Sequence, residues 1–68
     1  MTHHPNHRRR MEQLSVVSRT HQEKGTASVE LLDAETHEHK ALGIDSTLYQ
    51  AMERALTQLE PLRAGGLA

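Results

Sequence analysis

Glu35-Thr36-His37-Glu38-His39-Lys40 is a run of six residues without one apolar side chain, and it separates two possible folds. A packed helix needs an apolar residue about every third or fourth position. Nearly two turns without one would leave a gap in any buried stripe. Strands and their connections accept such a run readily. The stretch therefore favours an α+β chain, a three-stranded antiparallel sheet followed by one C-terminal helix (βββα). The rival is a three-helix bundle with stops at Gly25 and Gly43.

Working back from the run, Asp33-Ala34-Glu35 supplies a turn-forming aspartate for a hairpin connection. Before it, Thr26-Ala27-Ser28-Val29-Glu30-Leu31-Leu32 alternates. Ala27, Val29 and Leu31 point one way and Thr26, Ser28 and Glu30 the other, the period of a half-buried strand. His21 to Gly25 is polar and ends in glycine, which reads as a turn. In residues 11–19, Leu14 and Val16 at spacing two, with Val17 opposite, give an earlier strand. Working forward, residues 36–42 give a third strand. Gly43 breaks it, and Asp45 or Ser46 caps a helix. Leu48, Met52, Ala55, Leu56 and Leu59 lie on one stripe of that helix. Pro61 stops it at about Glu60, because a residue before proline is pushed out of the α region.

The expected organisation is a disordered basic and His-rich tail over 1–10, one βββα domain over 11–62 and a flexible end over 63–68. Met1-Thr2-His3-His4-Pro5-Asn6-His7-Arg8-Arg9-Arg10 has no apolar residue after Met1, so burial cannot offset the entropy of ordering it.

The core material is thin. Hydrophobic residues are 35% of the 68, much of that alanine; Tyr49 is the only aromatic, and there is no Cys. A chain this size buries only about 60% of the surface its unfolded form exposes. Small scaffolds add disulfides, a metal or a second copy, and without cysteine a homodimer is the expected route. One helix covers one sheet face, which leaves Val17, Leu32 and Leu42 together on the other. These three are the expected self-association residues. No apolar run is long enough to span a membrane, and no hydrophobic stretch follows the basic start. We expect a cytoplasmic protein with no membrane partner and no cofactor.

The stretch Ala41-Leu42-Gly43-Ile44-Asp45-Ser46-Thr47-Leu48-Tyr49-Gln50-Ala51-Met52-Glu53-Arg54-Ala55-Leu56 resembles the C-terminal regulatory domain of 2-isopropylmalate synthase and the related citramalate synthases. There a strand ends in a Gly-x-Gly turn, often followed by Asp, and leads into an Ala-rich helix. A segment similar to Ala27-Ser28-Val29-Glu30-Leu31-Leu32 precedes it. The likeness covers roughly residues 12–60. Two departures stand out: Ala41 replaces the first glycine of the turn, and one strand-strand-strand-helix unit is present where the family has two. The resemblance implies that two copies pair to rebuild the two-unit domain. It also implies that a small amino-acid-like ligand binds near the turn, with Gly43 and Asp45 carried over as its residues.

Two further readings come from charge and histidine. Residues 1–24 carry +3 and residues 25–68 carry −4. Arg8, Arg9, Arg10 and Arg19 could hold nucleic acid through a salt-sensitive, tail-driven contact, although no aromatic residues are interleaved to stack bases. The element order is also similar to part of the double-stranded-RNA-binding domain. In that domain the last helix opens with a basic cluster, whereas here Asp45, Ser46 and Thr47 occupy the turn. His37 and His39, at spacing two on one strand face with Glu35, could begin a zinc or nickel site completed by a second subunit. The main reading of the pair is an exposed polar strand face, with the metal site as the alternative. Catalysis finds no support. The serines lack a recognisable nucleophile context, Gly65-Gly66 leads into no helix that could cradle a phosphate, and the pair His21 and Glu23 is expected in a solvated turn.

Overall fold

The computed structural model describes residues 7–60. The chain runs α1 (His7–Leu14), β1 (Val16–Glu23), β2 (Thr26–Asp33), β3 (His39–Asp45) and α2 (Leu48–Leu59). The strands form one antiparallel sheet in the order β1-β2-β3, and α2 packs on β3 and β2. The fold is the expected α+β arrangement, with a short helix added in front, and not a three-helix bundle.

β2 is central in space and in energy. Its alternating residues Ala27, Val29 and Leu31 are almost completely buried. Across the ladder Val29 faces Gly43 and Leu31 faces Ala41. Ala51, Met52, Ala55 and Leu56 of α2 close this layer from above. Burial of a leucine- or valine-sized side chain contributes about 1.5–3 kcal/mol, so Leu31, Leu56 and Val29 anchor the core. The expected helix stripe lacked Ala51, which is fully buried.

Both hairpins depart from their expected limits. β1 runs through Glu23, beyond the expected turn at His21. Glu23 pairs with Thr26 around the two-residue turn Lys24-Gly25, and Gly25 takes a left-handed conformation (φ 73°) that glycine adopts without steric cost. β1 is exposed from Val17 onwards, so its polarity resembles that of a turn. β3 begins at His39 and continues to Asp45, where the expectation was 36–42. Residues 34–38 instead form the connection. Asp33 Oδ2 holds it by accepting from the N–H groups of Glu35 (2.9 Å) and Thr36 (2.8 Å), which keeps its carboxyl below the usual range. Lys40 is the extra residue of a bulge between the pairs Leu31–Ala41 and Leu32–His39.

The start of the chain is the larger correction. Residues 7–10, expected in the tail, and Met11 to Leu14, expected in a strand, form α1. His7, Arg10, Met11 and Leu14 follow the i, i+3, i+4, i+7 spacing of one helix face. Met11 and Leu14 pack against the core, and the other two are held by polar contacts described below. Ser15 (φ 57°) ends the helix, its N–H donating to Glu12 O at 3.1 Å. The rest of the expected tail and the expected flexible end lie outside the described residues.

α2 is capped by Thr47 and not by Asp45 or Ser46. The Thr47 side chain accepts from Gln50 N–H at 3.1 Å, satisfying one of the donors left free at a helix start. At the other end Glu60 is extended, as the following proline requires.

Candidate functional site

The sheet face turned away from α2 is built by strand alternation. Val17 lies opposite Leu32, Arg19 opposite Glu30, and His21 opposite Ser28. On the other side of β2, Glu30 faces Leu42 and Ser28 faces Ile44. Glu30 sits in the middle of this face, 3.6 Å from Arg19 and 3.6 Å from His39. Val17 is 40% exposed, Leu42 43% and Ile44 54%.

Of the three expected self-association residues, Val17 and Leu42 are displayed to solvent. Leu32 is only 7% exposed, so its side chain is already covered within the chain and has little left to bury. Ile44, outside the expected set, is displayed on the same face. Ending the third strand at residue 42 hid it, although Leu42-Gly43-Ile44 keeps the alternation of two apolar residues on one face.

Gly43 and Asp45 occupy the junction between β3 and α2, and each has a structural task. A Cβ on Gly43 would overlap the carbonyl oxygen of Ala51 and stand 2.7 Å from Ala55 N. Glycine here is what lets the helix backbone lie directly on the strand, with Ala51 and Ala55 as the matching small residues. Asp45 accepts from Arg54 Nε at 2.6 Å and from Ser46 N–H at 2.7 Å. The Arg54 bond, followed by the Ser46 N–H, holds its carboxyl below the usual range. Beside this junction Leu42, Gly43, Ile44, Arg54, Thr57 and Gln58 line an open cleft of about 400 Å³. Gln58 Nε2 donates to Leu42 O at 2.7 Å and so occupies the outer edge of β3.

The four arginines do not form a shared cluster. Arg8 and Arg9 lie exposed on α1. Arg10 turns inward and grips α2, with Nη1 2.6 Å from Glu53, and Nε and Nη2 2.7 and 2.9 Å from Glu60. His7 Nε2 lies 2.9 Å from Glu53, and its ring stacks at a tilt on Tyr49 with centroids 4.7 Å apart. The Glu60 and Glu53 bonds raise the Arg10 pKa further. The Arg10 bond, more than that of His7, lowers the Glu53 carboxyl. Arg19 is on β1, beside Glu30. Sequence reasoning missed this clasp because only two of the four residues on the inner face of α1 are apolar. The periodicity was present, with polar groups at half its positions.

The histidine pair is also separated. His37 sits in the connection in a left-handed conformation (φ 66°), while His39 opens β3, so no single strand carries both imidazoles. Among the described residues no group of three His, Asp or Glu is placed to hold a metal ion. His21 and Glu23 do meet, at 3.1 Å, but on the β1 surface with both side chains 70% exposed, where water screens them. No helix among the described residues is long and apolar enough to cross a membrane. The candidate site is therefore a surface: a mixed apolar and charged sheet face, a shallow cleft at one edge and, at the other, a strand with no neighbour strand among the described residues. Comparison of the chain with protein-family models, curated proteins and solved structures found no match.

Proposed function

We propose that this chain is a non-catalytic interaction module that works as a homodimer, two copies closing their open sheet faces on one another. The observation that carries this reading is the group Val17, Leu42 and Ile44, three large apolar side chains displayed around the Arg19–Glu30–His39 centre of an otherwise uncovered face. A sheet covered by one helix leaves its second face wet, and a copy of itself is the simplest apolar cover. Burial of these groups would add to a core that is small for an independent domain.

The regulatory part of the reading comes from the resemblance to the synthase regulatory domain. On this reading the small amino-acid-like ligand would use the cleft lined by Gly43 and Arg54, next to Asp45. There the Arg54 guanidinium, bonded to Asp45 through Nε, can offer its remaining donors to a carboxylate. Gly43 shapes the wall of that cleft, while its own Cβ position is filled by the helix backbone.

Sedimentation equilibrium of the wild type and of the double variant Leu42→Lys/Ile44→Lys tests the dimer. The variant is expected to sediment at half the wild-type mass with an unchanged circular dichroism spectrum. A wild-type chain that stays monomeric, or a double variant of unaltered mass, rejects the face-to-face dimer.

A further inference from the structure

The two edges of the sheet are treated differently by the fold. The outer edge of β3 is blocked by Gln58 on Leu42 O and overlaid by α2. Among the described residues β1 has neither a proline nor a bulge to protect its edge; its protection is limited to contact with α1 and the charges of Arg19 and Glu23. Its ladder with β2 is continuous over all eight residues, and everything after Val16 is exposed. No strand lies along its outer edge among the described residues.

The hydrogen-bonding direction of each β1 residue follows from the ladder. Ala34 N–H donates to Ser15 O, so Ser15, Val17, Arg19, His21 and Glu23 turn their backbone groups toward β2. The alternation of an antiparallel pair then turns the N–H and C=O groups of Val16, Ser18, Thr20 and Gln22 outward. These form an ordered, unused row of donors and acceptors.

We propose that this row pairs antiparallel with β1 of a second copy, joining two three-stranded sheets into one of six strands. The partner is identified by self-complementarity. A two-fold axis normal to the sheet can pass only through a residue opposite its own copy. The two registers that use nearly all of Val16–Glu23 are centred on Arg19 and on Thr20. The first sets two arginines directly opposite each other, which is destabilising. The second sets Thr20 against the partner's Thr20 and Ser18 against the partner's Gln22. It sets Arg19 opposite the partner's His21 and moves the partner's Arg19 to a diagonal position, with the partner's Glu23 on the other diagonal, within reach of a long side chain. Charge thus selects the register centred on Thr20. The threonine hydroxyls face the α2 side, where the exposed row Ser18, Thr20, Gln22 leaves room for them. This edge contact rests on the reading that copies associate, but not on the open face. An edge axis runs normal to the sheet and a face axis parallel to it, so both fit one closed tetramer.

Two kinds of Thr20 substitution test the edge. In Thr20→Pro the lost N–H is one that β2 does not use, so the fold is retained and the outward row is broken. Its sedimentation mass is expected to be half that of the wild type, and combining it with Leu42→Lys/Ile44→Lys leaves a monomer. Thr20→Lys and Thr20→Glu provide a test that does not involve proline. Each alone loses the edge step through like-charge opposition, and an equimolar mixture at low salt regains it. A folded Thr20→Pro or Thr20→Lys chain with wild-type mass overturns the proposal, as does a Lys/Glu mixture no heavier than its components. Loss of mass in the face variant alone would uphold the face dimer and leave the edge to a strand from another protein.

Discussion

β1 and β3 flank the same central strand and pair with it in the same antiparallel sense, yet they live in opposite surroundings. β3 lies beneath α2, so close that Gly43 has no room for a methyl group, and its outer carbonyl at Leu42 is taken by Gln58. β1 is buried only at Val16, where α1 leans against it and is held to α2 by His7 and Arg10. The difference teaches that in a one-helix, three-strand layer the helix must choose two strands. The strand left out is where a partner strand can be added.

The largest break in that comparison is expected at Gly43. Gly43→Ala forces β3 and α2 apart and should destabilise the chain by about 3 kcal/mol, read from urea unfolding at fixed protein concentration. A loss below about 0.5 kcal/mol, the range of ordinary surface substitutions, would mean that the helix does not rest on the strand as described.

Arg10→Ala tests the other side by loosening α1, the helix that touches β1 among the described residues. Its pairs with Glu53 and Glu60 are partly exposed, which limits the expected cost to about 1 kcal/mol. The loss should shrink with added salt. The same variant has a pH signature. Glu53 is held below its usual pKa chiefly by Arg10, so the unfolded chain takes up this proton first as the pH falls. The contribution is complete above the ordinary carboxylate range, near about pH 4, and is lost as the pH drops through the lower folded value. Asp33 and Asp45 are lowered as well and act in the same direction. Wild type should therefore lose stability steeply in acid, and Arg10→Ala less steeply. Parallel acid profiles for the two would show that the clasp is not formed.

The smallest expected effect sharpens the comparison between the edges. Gln58→Ala uncovers Leu42 O and should cost only about 0.5 kcal/mol, since water can replace an exposed amide. It also makes β3 an accessible edge. If β1 is the pairing edge of the native chain, Gln58→Ala should add a further association step to the sedimentation profile. An unaltered profile would show that α2, and not Gln58, closes the β3 edge.

Several of these features could be read from the residues alone. Thr26 to Leu32 specifies its strand because its apolar residues recur at spacing two with polar residues between them. Leu48 to Leu59 specifies its helix because the 3.6-residue stripe is nearly complete. The departures are equally specific. α1 was hidden because its inner face pairs Met11 and Leu14 with His7 and Arg10, and a polar residue declares its side only once its partner is known. The end of β1 was hidden because a strand exposed on both faces has the composition of a turn. Ile44 was hidden behind Gly43, whose glycine reads as a break until the helix above it is in place.

What the sequence determined, then, is the type of every element but α1, and the central layer, because alternation and helical periodicity are local and apolar burial enforces them. Tertiary structure alone decided which two strands α2 covers, that Glu53 and Glu60 receive Arg10, that Leu32 is already covered while Ile44 is displayed, and that no described strand pairs with the outer edge of β1. Each of these depends on contacts between residues far apart in the chain, and no local pattern encodes them.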